Sequence, residues 1–150
     1  MKRQPQLQLE TETAATAWQS LGPHRFAIEL DTLRWSPQGE ISEQEGDIIS
    51  DKMLEIWKAH RYALVLVDGR NSPPLRYEVR RLYVEKIRRY RVHVAVAVFD
   101  GKPGSRAVAL LAFRAARLIS GLDIEISYTA TESEAIRFLA AQRKRLLKIV

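Results

Sequence analysis

The stretch YALVLVDGRNSPPL, Tyr62 to Leu75, joins an aliphatic run to an abrupt polar turn. Ala63 to Val67 is too short for a helix and apolar at every position, the pattern of a strand buried on both faces. Such strands belong to parallel sheets covered by helices. Asp68, Gly69, Arg70, Asn71, Ser72 and two prolines then end it. A second run, VHVAVAVFDG from Val92 to Gly101, repeats the arrangement and closes on Asp100 and a glycine. Two buried strands, each opening into a loop and then a helix, specify an α/β layer fold. They also mark a candidate site, because ligands of open α/β sheets gather at the carboxyl ends of the strands.

On the amino-terminal side, HRFAIELD alternates Phe26, Ile28 and Leu30 against Ala27, Glu29 and Asp31, as a half-buried strand does. LRW followed by SPQGEIS reads as a second strand, with Pro37 and Gly39 marking a bulge or an edge. Ser42 and Glu45 form a capping box that opens an amphipathic helix with Ile49, Met53, Ile56 and Trp57 inward. On the carboxyl side, a helix from about Arg76 to Tyr90 sets Val79, Leu82, Tyr83, Ile87 and Tyr90 on one side. A third helix is expected from about Arg106 to Ser120, apolar nearly all round, with Arg106, Arg114 and Arg117 in one narrow sector. Gly121 closes it. LDIEISYTA is the last alternating strand, and Thr131 with Glu134 caps a final helix that turns Ala135, Phe138 and Leu139 inward. The predicted order is β-β-α-β-α-β-α-β-α, one domain over residues 23–150 after a partly ordered tail at 1–22.

At 150 residues, 46% hydrophobic and 28% charged, the chain has the size and composition of one globular domain with a real core. It has no cysteine, which removes disulfides, thiolate metal sites and cysteine nucleophiles and fits a reducing cytoplasm. No segment has the apolar length of a membrane span, and MKRQPQLQLETETAA lacks the apolar core of a signal peptide, so a cytoplasmic location is expected. The net charge of +6 is uneven: residues 1–60 carry 6 basic and 10 acidic side chains, residues 61–150 carry 18 and 8. That asymmetry suits an anionic partner on the second half, or pairing between the halves once folded.

The order of these signposts resembles the STAS/SpoIIAA-like family, the sulfate-transporter and anti-sigma-factor-antagonist domains, over roughly residues 24–147. QGEIS at Gln38–Ser42, LVLVDGR at Leu64–Arg70, VAVAVFDGKPGSRAVALLAF at Val94–Phe113 and ISYTATESEAIRFL at Ile126–Leu139 carry it. The resemblance implies a mixed five-stranded sheet with four helices and a regulatory role through protein contacts or ligand sensing. Regulatory members place a phosphorylatable residue in a D-S-x-G turn after the central strand. Here Asp68 is followed by Gly69-Arg70-Asn71-Ser72 and two prolines, so that switch does not carry over.

Several constellations bear on function. Asp68 and Asp100 both end buried strands; a carboxylate pair there could hold Mg²⁺ or share a proton, while the simpler reading has each capping a turn. Gly101 to Arg106, GKPGSR, precedes a helix, so Lys102, Arg106 and backbone N–H groups could receive an anion, with Ser105 otherwise an ordinary N-cap. The arginines of residues 76–91 alternate with glutamates at helical reach, which fits a solvated face better than a nucleic-acid site. The three histidines have no ligand spacing, and neither a metal, a cofactor nor a catalytic triad is expected. A non-enzymatic regulatory or scaffolding domain is therefore the favoured reading, homodimeric through Leu110, Leu111, Phe113, Arg114 and Arg117, with a further protein partner. The alternative is a module for an anionic or lipophilic small molecule, held by Asp68, Arg70, Asn71, Ser72, Asp100, Lys102, Ser105 and Arg106.

Overall fold

The computed structural model describes residues 17–101, 114 and 121–150. Six strands form one mixed sheet in strict chain order: β1 (Gln19–Leu21), β2 (His24–Glu29), β3 (Thr32–Ser36), β4 (Ala63–Asp68), β5 (Val94–Phe99) and β6 (Ile124–Thr129). β1, β2 and β3 run antiparallel as a meander; β3, β4, β5 and β6 are parallel. Three helices stand among the described residues: α1 (Glu43–His60), α2 (Tyr77–Tyr90) and α3 (Glu132–Ile149).

The general α/β class is as the sequence predicts, but the sheet has six strands rather than five. The extra one, β1, lies in the stretch assigned to the amino-terminal tail; three residues are too few to show a period. The second strand also stops at Ser36, because Pro37 has no N–H to continue a ladder and Pro37–Ser42 becomes the loop into α1. The helix expected at 106–120 falls outside the described residues except for Arg114, which is helical and exposed.

Alternation along the central strands sorts the core into two layers. Ala63, Val65 and Val94 point with Leu33, Trp35 and Ile124 toward α1 and α2. Leu64, Leu66, Ala95 and Ala97 point the other way and meet Ala135, Leu139 and Leu146 of α3. The small alanines of β5 let α3 lie close to the sheet. On the opposite face α1 packs directly on β3 and β4, whereas α2 leans on α1 and its backbone stands off the strands. Gly46 permits that helix contact, since a Cβ there would come within 3.0 Å of Val79 Cγ1.

Candidate functional site

The loop after β4 is a closed local network. Arg70 donates from Nε to Asp68 Oδ1 at 3.0 Å and from Nη2 to Oδ2 at 2.6 Å, and its backbone N–H donates to Oδ1 at 3.1 Å. Burial pushes the Asp68 carboxyl upward, but the Arg70 hydrogen bonds outweigh it and hold the group below the usual carboxylate range. Asn71 donates to Gln38 Oε1 at 2.9 Å while its carbonyl accepts from Gly39 N–H at 2.8 Å, tying this loop to the one before α1. Gly69 donates to the Phe99 carbonyl at 2.8 Å, and a Cβ on it would sit 2.8 Å from Gly101 Cα. That close approach explains the glycine at position 69.

Of the sequence-derived site residues, Asp68, Arg70, Asn71 and Ser72 share this loop. Asp100 lies nearby at the end of β5, exposed, with φ 57° and its N–H on the Thr129 carbonyl. Asp68 is engaged by Arg70, in the manner of a turn cap. Among the described residues no three His, Asp or Glu side chains converge as metal ligands would. Lys102, Ser105, Arg106, Leu110, Leu111, Phe113 and Arg117 lie outside the described residues.

Beneath the loop, where α2 stands off the sheet, is a cavity of about 160 Å³. Val65, Val67, Val96 and Ile126 supply its sheet wall, Met53 and Tyr83 its helical wall, and Pro73, Pro74 and Leu75 its rim. Ser72 and Ser50 are among its few polar lining residues, and the Ser50 hydroxyl is already spent: it donates to the Gly46 carbonyl at 2.7 Å and accepts from Lys86 Nζ at 2.8 Å. Burial pushes the Tyr83 phenol upward, so Tyr83 enters this wall as a neutral group. The sequence marks Val65, Val67, Val96, Met53 and Tyr83 as strand or helix core; only the stand-off of α2 turns them into a wall.

Sequence reasoning missed the polar clusters at the opposite edge, where the parallel strands begin. Asp31 accepts from Tyr62 Oη at 2.6 Å, from Arg143 Nε at 2.6 Å and Nη2 at 2.9 Å, and from Thr32 Oγ1 at 2.9 Å. Asp123 accepts from Arg145 at 2.9 and 3.1 Å and pairs with His93 Nδ1 at 2.7 Å. A third cluster was also missed, at the carboxyl-end edge beside the loop after β4: the fully buried His24 accepts from Gln38 N–H through Nδ1 at 2.8 Å, which leaves the hydrogen on Nε2 facing Glu45 at 3.3 Å. Apart from the adjacent Thr32, these partners lie 14 to 112 residues apart, so no local spacing announces them. No family model matches the chain, and no curated protein is similar to it in sequence.

Proposed function

We propose that this chain is a binding module that holds a lipophilic small molecule between its sheet and α2, without carrying out a reaction on it. The supporting observation is the apolar cavity of about 160 Å³ under the Pro73–Pro74 loop. Its volume is close to the roughly 150 Å³ of apolar cavities that stay dry and accept benzene-sized guests. An aromatic ring or a short branched acyl group fits its enclosed part, with any polar substituent directed to the mouth beside Ser72. Asp68 and Arg70 neutralise each other at that mouth, which favours a neutral or weakly polar head over a strongly charged one.

The test uses N-phenyl-1-naphthylamine, an uncharged lipophilic probe, with the full chain. Fluorescence enhancement should saturate at one probe per chain, and Val96→Phe, which fills the cavity from β5, should abolish it while leaving the melting temperature within a few degrees. Enhancement unchanged by Val96→Phe would sink the assignment. So would no enhancement in the native protein, which would leave the cavity to the apolar run of residues 107–119.

The regulatory reading, a STAS/SpoIIAA-like domain acting through protein contacts as a homodimer, stands as a second proposal. A mixed α/β sheet is in keeping with it, and Arg114, the one described residue of its candidate interface, is helical and exposed. Native mass spectrometry at several concentrations separates the two. A concentration-dependent dimer of unadorned mass supports protein contacts; a monomer carrying reproducible extra mass supports the binding module.

A further inference from the structure

The edge at which the parallel strands begin is a continuous surface. Leu64 N–H donates to the Asp31 carbonyl, Ala63 to His93 and Val94 to Asp123, stitching the starts of β3 to β6 into one row. The β2–β3 turn, the carboxyl ends of α1 and α2 and the last turns of α3 all reach it; Trp57 and Tyr90, 5.8 Å apart, join the two helix ends.

Two kinds of side chain are exposed there. Leu30 is 87% exposed at the tip of the turn, and Leu147 and Ile149 of α3 are 57% and 53% exposed. The helix ends that reach this edge add Lys58, Arg61, Arg88, Arg89 and Arg91 on one sheet face and Lys144 and Lys148 of α3 on the other, all exposed and none in an ion pair among the described residues. The nearby acids are already occupied: Glu29 by Arg34, Asp31 by Arg143, Asp123 by Arg145. Helix dipoles account for some of these cations, because carboxyl ends attract positive charge. They do not account for bare aliphatic side chains, nor for where three of the residues sit. Leu30, Arg61 and Arg91 have φ of 55°, 71° and 52°, a region that suits Gly or Asn and disfavours other side chains. Local stability alone would replace all three, yet each presents an apolar or cationic side chain to this one surface.

We propose that this edge docks on an anionic membrane surface, Leu30, Leu147 and Ile149 entering the acyl boundary while the arginines and lysines of the helix ends engage phosphate headgroups. Aliphatic protrusions sharing an edge with unpaired cations are the chemistry of peripheral lipid binding. Nucleic acid would be served by the charges but gains little from exposed Leu and Ile, since its apolar contacts come from aromatic rings stacked on bases.

The test is co-sedimentation of the full chain with vesicles of phosphatidylcholine alone or with about 30% phosphatidylserine. Binding should require the anionic lipid and weaken as salt is raised. Arg61→Gly with Arg91→Gly should weaken it by roughly fivefold per arginine removed, while leaving thermal stability equal or higher. Leu30→Asn with Leu147→Gln should release the protein from vesicles with the fold intact. Equal binding to neutral vesicles, no binding to anionic ones, or variants that bind as the native chain does would each overturn the proposal. A short DNA duplex that binds more tightly than the vesicles at equal phosphate concentration would overturn it in favour of nucleic acid.

Discussion

Asp31 sits in a two-residue turn, where an aspartate ordinarily faces water, yet it is only 5% exposed and its carboxylate accepts from two distant side chains, Tyr62 and Arg143, besides the hydroxyl of its neighbour Thr32. Burial alone would raise its pKa; the hydrogen bonds from Arg143, Tyr62 and Thr32 win and lower it from 3.8 to about 2. The folded state therefore takes up the proton less readily than the unfolded chain, so this stabilisation is complete above pH 4 or so and is lost as pH falls toward 2. A shift of this size corresponds to about 2 kcal/mol, reduced to about 1–2 because the Arg143 guanidinium is partly solvated. Urea unfolding across that range should show the native chain losing about that much more stability than Asp31→Asn; parallel curves would refute the account. Tyr62 answers the same geometry from the other side: burial and the neighbouring Asp31 push its phenol up to about 12. Tyr62→Phe removes one of several donors to Asp31 and should cost about 1 kcal/mol by thermal or urea unfolding.

At the scale of elements, α3 is held by two arginine clamps, Arg143 on Asp31 and Arg145 on Asp123, reaching different strands two residues apart in sequence. Replacing both by glutamine should leave α1 untouched while amide exchange at Leu146 and Val150 quickens by about tenfold or more, as the last turns open locally. Equal acceleration in α1 would mean global destabilisation instead. The first helix starts on a complete capping box: Ser42 Oγ accepts from Glu45 N–H at 3.1 Å and Glu45 Oε1 from Ser42 N–H at 3.0 Å. Ser42→Ala should cost about 1 kcal/mol in thermal unfolding. Gly69→Ala should cost more, about 2 kcal/mol or above, because the new methyl meets backbone of the β5 loop rather than a yielding side chain. The Ser42 capping box, the Thr131 N-cap and the two buried strands were legible in the sequence because their signals lie within a few residues of one another; of the second expected box only the Thr131 half forms. The arginine clamps were not, since Arg143 and Arg145 look like any basic helix end until the fold brings α3 across the sheet.

For the molecule as a whole, the sequence conveyed the α/β class and the strand-end loops, and assigned Asp68, Arg70, Asn71 and Ser72 to one place. It did not convey the stand-off of α2, because a helix resting on another helix shows the same apolar stripe as one resting on a sheet. The cavity follows from that stand-off. The edge surface was equally hidden: its charges come from three helices and its aliphatic groups from a turn and a helix end far apart in the chain. The strict succession of strands, each paired with the one before it, has a consequence for synthesis on the ribosome. As the chain emerges from its amino terminus, every new strand finds its neighbour already made, and the sheet can grow at one margin without rearrangement. Residues 132–149 turn back across the finished sheet, and Arg143 reaches a partner 112 positions earlier. Until they leave the exit tunnel, the face formed by Leu64, Leu66, Ala95 and Ala97 lacks the cover that α3 gives it. Nascent chains that lack this last segment are thus the ones on which cellular chaperones should be found.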